Sequence, residues 1–433
     1  MQPTSLDASY LQLFEVYIKM IPYFQSLGER IEQMWLERNY DEEIFPQLVL
    51  EVLGSDPPGE SVKVADIIDW TFGPSQPFRQ PRDRDLFGEP PVMLFQAPRF
   101  YIEALFWLSG TTAIHEHAFS GVFAVLAGSS VHSHWRFTPE HTINSRMLWG
   151  RLERVSTEIL RPGGMRRIHS GDRLIHQLFH LEMPSVTLVI RTYEERHHLP
   201  QYKYLPPGLA VDPEDRDGLR TRRLIFLDGM ARGQIDGLAE YAHRLVKDGD
   251  LETLYYAFSV LTRRKVDREL LQDLYNTARQ RHGDIVDLIE EVCEEERRTR
   301  IVTALRSKTS DPEARFLLAL LMLMPDRDAI FEAIRLQFPN VEPLGTIETW
   351  LEGISGKETI GFDFTDVNRL IFRSLVEGLD TESLLQRLRT EFRGDSIDAH
   401  RDRLLDHAKQ LAKSDLFFPL LSQSPLRENP RMA

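Results

Sequence analysis

The spacing of apolar residues divides the chain into regions of different period. Over residues 6–52, Leu11, Phe14, Val16, Ile18 and Ile21 recur at helical intervals with few turn signals, which predicts two or three helices. From Gly54 to Pro91 proline, glycine and aspartate take over (SDPPGE, FGPSQPFRQPRDRD, FGEPP), predicting irregular connections broken by one short element near Val62–Phe72. Between Arg99 and Tyr193 the period shortens. The runs FYIEALFWL, FAVLAGSSVHSHWRF, RVSTEILRPGGMRRI, DRLIHQLFHL and SVTLVIRTY alternate with Gly, Pro and Asp breaks, the pattern of an antiparallel barrel or sandwich. After a loop-like stretch from Tyr202 to Arg223, residues 228–340 return to helical spacing in segments such as LETLYYAFSVLTRR and EARFLLALLMLM. The last unit, from about Asp363 to Leu421, predicts three helices and then a short apolar strand, a winged-helix-like order.

The expected class is therefore α+β and multidomain. A helical lead-in and irregular connection occupies 1–88, an antiparallel β-barrel 89–205, a linker 206–227, a helical domain 228–345, and a small helical module 346–433. A length of 433 residues agrees with two or three domains, since single cores stop growing near ~250 to 300 residues. No apolar run approaches the ~20 residues that span a bilayer. The start, MQPTSLDASYLQLFEVY, lacks a basic segment followed by an apolar one, so the cytoplasm is the expected location.

Two features of composition narrow the chemistry. Cys293 is the only cysteine, which excludes an intramolecular disulfide or a thiolate cluster and leaves histidine and carboxylate as metal ligands. It lies in an acidic helix, DLIEEVCEEE, where neighbouring carboxylates lower its reactivity. Acidic residues outnumber basic ones by 66 to 52, a balance that repels phosphate backbones, so nucleic acid is not an expected partner.

Histidines supply the candidate site. In GTTAIHEHAFSGVFAVLAG, His115 and His117 lie two apart on a strand, so both imidazoles point to one side and Glu116 to the other. In GDRLIHQLFH a Gly-Asp turn leads into a strand bearing His176 and, four residues on, His180. This order, a Gly, HxH, a Gly, then a second motif with a His, resembles the two motifs of the cupin superfamily. The Asn that usually follows the second-motif His by four residues is replaced by His180. Over about residues 94–193 the chain more narrowly resembles the thiol dioxygenase branch, the cysteine dioxygenase family: FYIEALFWLSGTTAIHEH and AFSGVFAVLAG parallel its strand, turn and HxH.

That resemblance implies a cupin barrel holding one ferrous iron on His115, His117 and His176, without a carboxylate, because the usual glutamate position falls at Gly121. Zinc, nickel or manganese are alternative ions, and His180 either replaces His176 or supports it. The family's active-site tyrosine, counted seventeen residues from the second-motif His, falls at Tyr193, while its alternating Ser and His fall at Val189 and Arg191. An alignment by apolar pattern puts Arg191 there instead. The arginine that holds a substrate carboxylate in the family falls near Pro91 and is absent. Arg191 is the replacement cation if it faces the cavity.

His132 and His134, again two apart, either line the cavity mouth or face solvent, and solvent is the expectation; His197 and His198 are expected to lie on the surface. The expected function is an iron-dependent oxygenase or oxidoreductase acting with dioxygen on a small or peptide-borne substrate. The alternatives are a non-redox metal cupin (isomerase or hydrolase) and a non-enzymatic ligand sensor. The C-terminal helices are expected to serve dimerisation or a protein partner.

Overall fold

The computed structural model describes residues 8–73, 78–80, 88–108, 110–195, 198–214, 217–354, 365–392 and 394–427. The chain forms two compact units, Met1–Glu296 and Arg297–Ala433.

The first unit opens with four helices, α1 (Ala8–Leu36), α2 (Phe45–Ser55), α3 (Pro58–Ser61) and α4 (Val64–Thr71). Helix α2 carries Pro46 in its first turn, where no intrahelical N–H is needed, and the Asp66 carboxylate caps α4 by accepting from the Lys63 N–H. Eleven strands follow among the described residues. They are β1 (Pro91–Gln96), β2 (Phe100–Trp107), β3 (Ile114–His117), β4 (Gly121–Ala127), β5 (Ser130–Asn144), β6 (Met147–Leu160), β7 (Met165–Ile168), β8 (Gly171–His180), β9 (Ser185–Thr192), β10 (Lys203–Leu205) and β11 (Leu209–Val211).

Five strands form a sheet in the order β1-β2-β9-β4-β7, and the other six close a ring, β10-β11-β6-β5-β8-β3. All the pairings are antiparallel. The expected antiparallel barrel with flanking helical regions is present.

Period-2 alternation sorts the side chains of the five-stranded sheet. On β9, Val186, Leu188 and Ile190 join a core with Phe24, Ile31 and Trp35 of α1 and Leu48 and Val52 of α2. Residues of the opposite parity, Thr187, Val189 and Arg191, line an internal cavity with Leu105 and Trp107 of β2. One face of the sheet is thus covered by helices, and the other looks onto the site.

The stretch expected to be a linker, 206–227, is partly structural. Leu209–Val211 is a barrel strand pairing with β6, and residues from 218 begin helix α5 (Gly218–Ala231). A Pro/Gly/Asp-rich composition reads as loop, but three apolar residues between Gly208 and Asp212 suffice to close the ring. The helices after it, α6 (Leu238–Asp248), α7 (Leu251–Arg263), α8 (Arg268–His282) and the start of α9 (Ile285–Lys308), share a core with the barrel. In it Leu205, Leu209 and Val211 meet Leu227, Phe258, Leu274 and Cys293. Aspartates Asp217, Asp250 and Asp267 cap α5, α7 and α8 by accepting backbone N–H groups.

The second unit is helical among its described residues, its core including Leu317, Leu321, Ile371, Phe372 and Phe417. The short apolar strand expected at its end is instead a helical turn, Phe418–Leu421, with Pro419 in the first turn. An FFPLL run is too short for periodicity to separate the two states. No helix among the described residues is long and apolar enough to cross a membrane.

Candidate metal centre

His115, His117 and His176 are brought together. Strand β3 pairs with β8 with His115 directly opposite His176, and His117, two residues on, shares the face of His115. The three buried side chains each offer one nitrogen, and these atoms lie within 4.8 Å of one another. Nε2 of His117 and Nε2 of His176 face each other at 2.8 Å. Ligands about 2.1 Å from one ion in cis positions stand roughly 3 Å apart, so this spacing fits a shared cation.

Protonation suits the same role. Burial pushes His115 down to about 4, and His117 and His176 well below the ordinary imidazole value, so all three are neutral near pH 7. Nδ1–H of His115 donates to the Ala113 carbonyl at 2.8 Å, leaving Nε2 with the lone pair. The Nδ1 atom of His117 is buried with no partner among the described residues.

No carboxylate belongs to this trio. Its absence at Gly121 has a steric cause: a Cβ there would lie 2.1 Å from the Ile190 carbonyl oxygen of β9. The backbone approaches too closely for any side chain. Glu116 points away, as its strand parity requires. It is buried, accepting the Tyr202 N–H at 3.1 Å and the Tyr204 hydroxyl at 2.7 Å.

The placement of His132 and His134 corrects the expectation that they face solvent. Strand β5 lies beside β8 with His134 opposite His176 and Ser130 opposite His180, which puts all four on the inner face. His132 is fully buried and His134 partly so. His132 Nε2 lies 2.9 Å from His176 Nδ1, and His132 Nδ1 lies 3.0 Å from Glu158 Oε1. His132, His134 and Glu158 thus form a second cluster with ligand-like spacing beside the first. His198 is half-buried, 3.5 Å from Glu195; His197 lies outside the described residues.

His180 is buried but stands apart from the trio. Its ring stacks on Trp107 at 4.7 Å and its Nδ1 pairs with Ser130 Oγ at 2.7 Å. Trp107 is itself fixed, its indole N–H donating to Thr187 Oγ1 at 3.0 Å.

Arg191 faces the cavity, which the trio lines together with Leu105, Phe119 and Phe123 and which encloses about 40 Å³. Its guanidinium sits 3.3 Å over the Phe119 ring and 3.9 Å from Glu103. Tyr193 shares the strand parity of Arg191 but follows the end of β9, and the structure places it off the cavity lining. It is 37 % exposed, its hydroxyl donating to the Ala97 carbonyl at 3.1 Å and accepting from Gln96. Counting residues from His176 could not register that β9 ends at Thr192.

The sequence pattern did not single out Glu103 or Glu158, and it left His132 and His134 between cavity and solvent. Glu103 had a signal, being the one charged residue inside FYIEALFW. Glu158 had none, because its significance comes from lying opposite His132 across β5 and β6.

No protein-family model matches this chain, and no curated protein matches it. Among solved structures, hydroquinone 1,2-dioxygenase from Sphingomonas sp. TTNP3 with 4-hydroxybenzoate bound is similar over 25 % of this chain and 69 % of its own, at 12 % identity and a TM-score of 0.19.

Proposed function

We propose that the barrel holds one divalent metal ion, ferrous iron, on His115, His117 and His176, and that the protein is a cupin-type oxidoreductase acting with dioxygen. The observation that carries this reading is the convergence of three buried, neutral imidazoles without a carboxylate, in an otherwise largely apolar cavity. Iron on three neutral nitrogens would keep open positions at which a substrate and dioxygen could bind, which is the chemistry it supplies.

The chain's own residues do the rest. The Ala113 carbonyl orients His115. Leu105, Trp107, Phe123 and Val189 exclude bulk water from the cavity and strengthen electrostatic contacts within it. Arg191, on Phe119 and beside Glu103, holds an anionic group of the substrate in place of the family arginine missing near Pro91. About 40 Å³ accommodates roughly one to three water-sized ligands, so a larger substrate, free or peptide-borne, displaces lining side chains as it binds.

Metal content of protein prepared without added metal, followed by oxygen uptake with a panel of small anionic thiols and carboxylates, tests this reading. Iron with substrate-dependent uptake supports it. Stoichiometric zinc, nickel or manganese without uptake replaces it with a non-redox isomerase or hydrolase, and no metal with a ligand-sensing barrel.

A further inference from the structure

The second histidine cluster admits two uses: a second metal site, or support for the first. The hydrogen bonding of Glu158 separates them. Arg166 Nε donates to Glu158 Oε1 at 2.7 Å, and Arg166 Nη2 donates to Oε2. A carboxylate with a guanidinium on both oxygens is a poor cation ligand, since the incoming charge meets the arginine and the lone pairs are in use. Glu158 also faces His132 directly across β5 and β6, and His132 reaches His176 on β8. Three adjacent strands thus carry an unbroken chain of contacts, Glu158 to His132 to His176, ending at the nitrogen opposite His117.

We propose that Glu158 and His132 are positioning residues that set the tautomer and ring orientation of His176. The carboxylate accepts the Nδ1 proton of His132, so His132 presents a lone pair at Nε2. That lone pair accepts the Nδ1 proton of His176, which leaves the lone pair of His176 at Nε2, aimed at the metal position. No proton changes owner along this chain; each donor keeps its own. The device is a two-residue version of the carboxylate–histidine support found behind metal-ligating histidines. It rests on the three-histidine reading above, and its test separates the two.

The test titrates the full-length chain with zinc and reads histidine tautomers by nitrogen-15 NMR, assigning His176 by its loss in His176→Ala. Wild-type chain should bind one equivalent, with His176 protonated at Nδ1. His132→Phe, which keeps ring volume but removes the acceptor, should bind zinc about 10- to 100-fold more weakly. His132→Gln, whose amide oxygen can accept near the Nε2 position, should recover binding to within about threefold. Equal affinity in wild type and His132→Phe overturns the proposal, as does a His176 proton at Nε2. Two zinc equivalents, one lost in His134→Ala, also overturn it and make the second cluster a metal site. If wild type binds no zinc, the three-histidine reading fails, and the tautomer of His176 in metal-free protein still decides the relay.

Discussion

Two histidine clusters sit side by side on the same barrel wall, and both are built from an H-x-H pair on one strand and one residue from a neighbouring strand. They differ in what surrounds the third member. His176 is buried among neutral rings, so three imidazole nitrogens converge with no cation among the described residues hydrogen-bonded to any of them. Glu158, about a third exposed, is already neutralised by Arg166, and the guanidinium together with His132 holds its carboxyl down to about 2. The lesson is that ligand-like spacing marks a metal position only where the ligands' electron pairs are not already engaged.

The sharpest way to break this comparison is to remove one ring from each cluster. His117→Ala should weaken zinc binding by more than about 100-fold, whereas His134→Ala should change it by less than about threefold, measured by competition with a chelating dye. Equal losses would abolish the distinction. Next in size, Gly121→Ala should cost on the order of 2 to 4 kcal/mol of stability in a denaturant melt, because the added Cβ meets the Ile190 carbonyl at 2.1 Å. A neutral outcome would mean the trio lacks a carboxylate for some reason other than space.

A smaller effect sharpens the account from the other side. Arg166→Met removes the guanidinium from both Glu158 oxygens, leaving Oε1 its contact with His132, and should add a second, weaker zinc equivalent at the second cluster, read by the same titration. If none appears, geometry rather than the guanidinium keeps that cluster empty of metal.

The smallest effect belongs to a histidine of the surface. His243 on α6 is 2.6 Å from Asp273, whose hydrogen bond raises its pKa above the ordinary value. Its contribution is present below about pH 6.5 and is lost as pH rises through the raised folded-state value. With 38 % of the side chain exposed, it amounts to about a few tenths of a kcal/mol after screening. Asp273→Asn should remove that pH dependence of the melting temperature and leave zinc affinity unchanged.

The barrel and the shared face of His115 and His117 were legible because they rest on local periodicity, whereas His176 joined them through the resemblance of the motif order to the cupins. Alternation alone puts His115 and His117 on one face, and a Gly-Asp turn before LIHQLFH announces the strand of His176. What could not be read depends on register. VHSHW alternates as clearly as IHEH, but only the pairing of His134 with His176 tells which side is inside. Tyr193 failed to reach the cavity for a similar reason: residue counts carry no information on where a strand stops. Leu209–Val211 illustrates the limit for short elements, since three residues between turn formers close a barrel without a detectable period.

The central claim is that this chain binds one metal ion on His115, His117 and His176 and none on its neighbouring cluster. Metal analysis of wild type and of the His115→Ala, His117→Ala, His176→Ala triple variant, each reconstituted anaerobically with ferrous iron, tests it directly. The account predicts one iron per wild-type chain and none in the folded triple variant. Zero or two irons in the wild type, or one that survives the triple substitution, would contradict it.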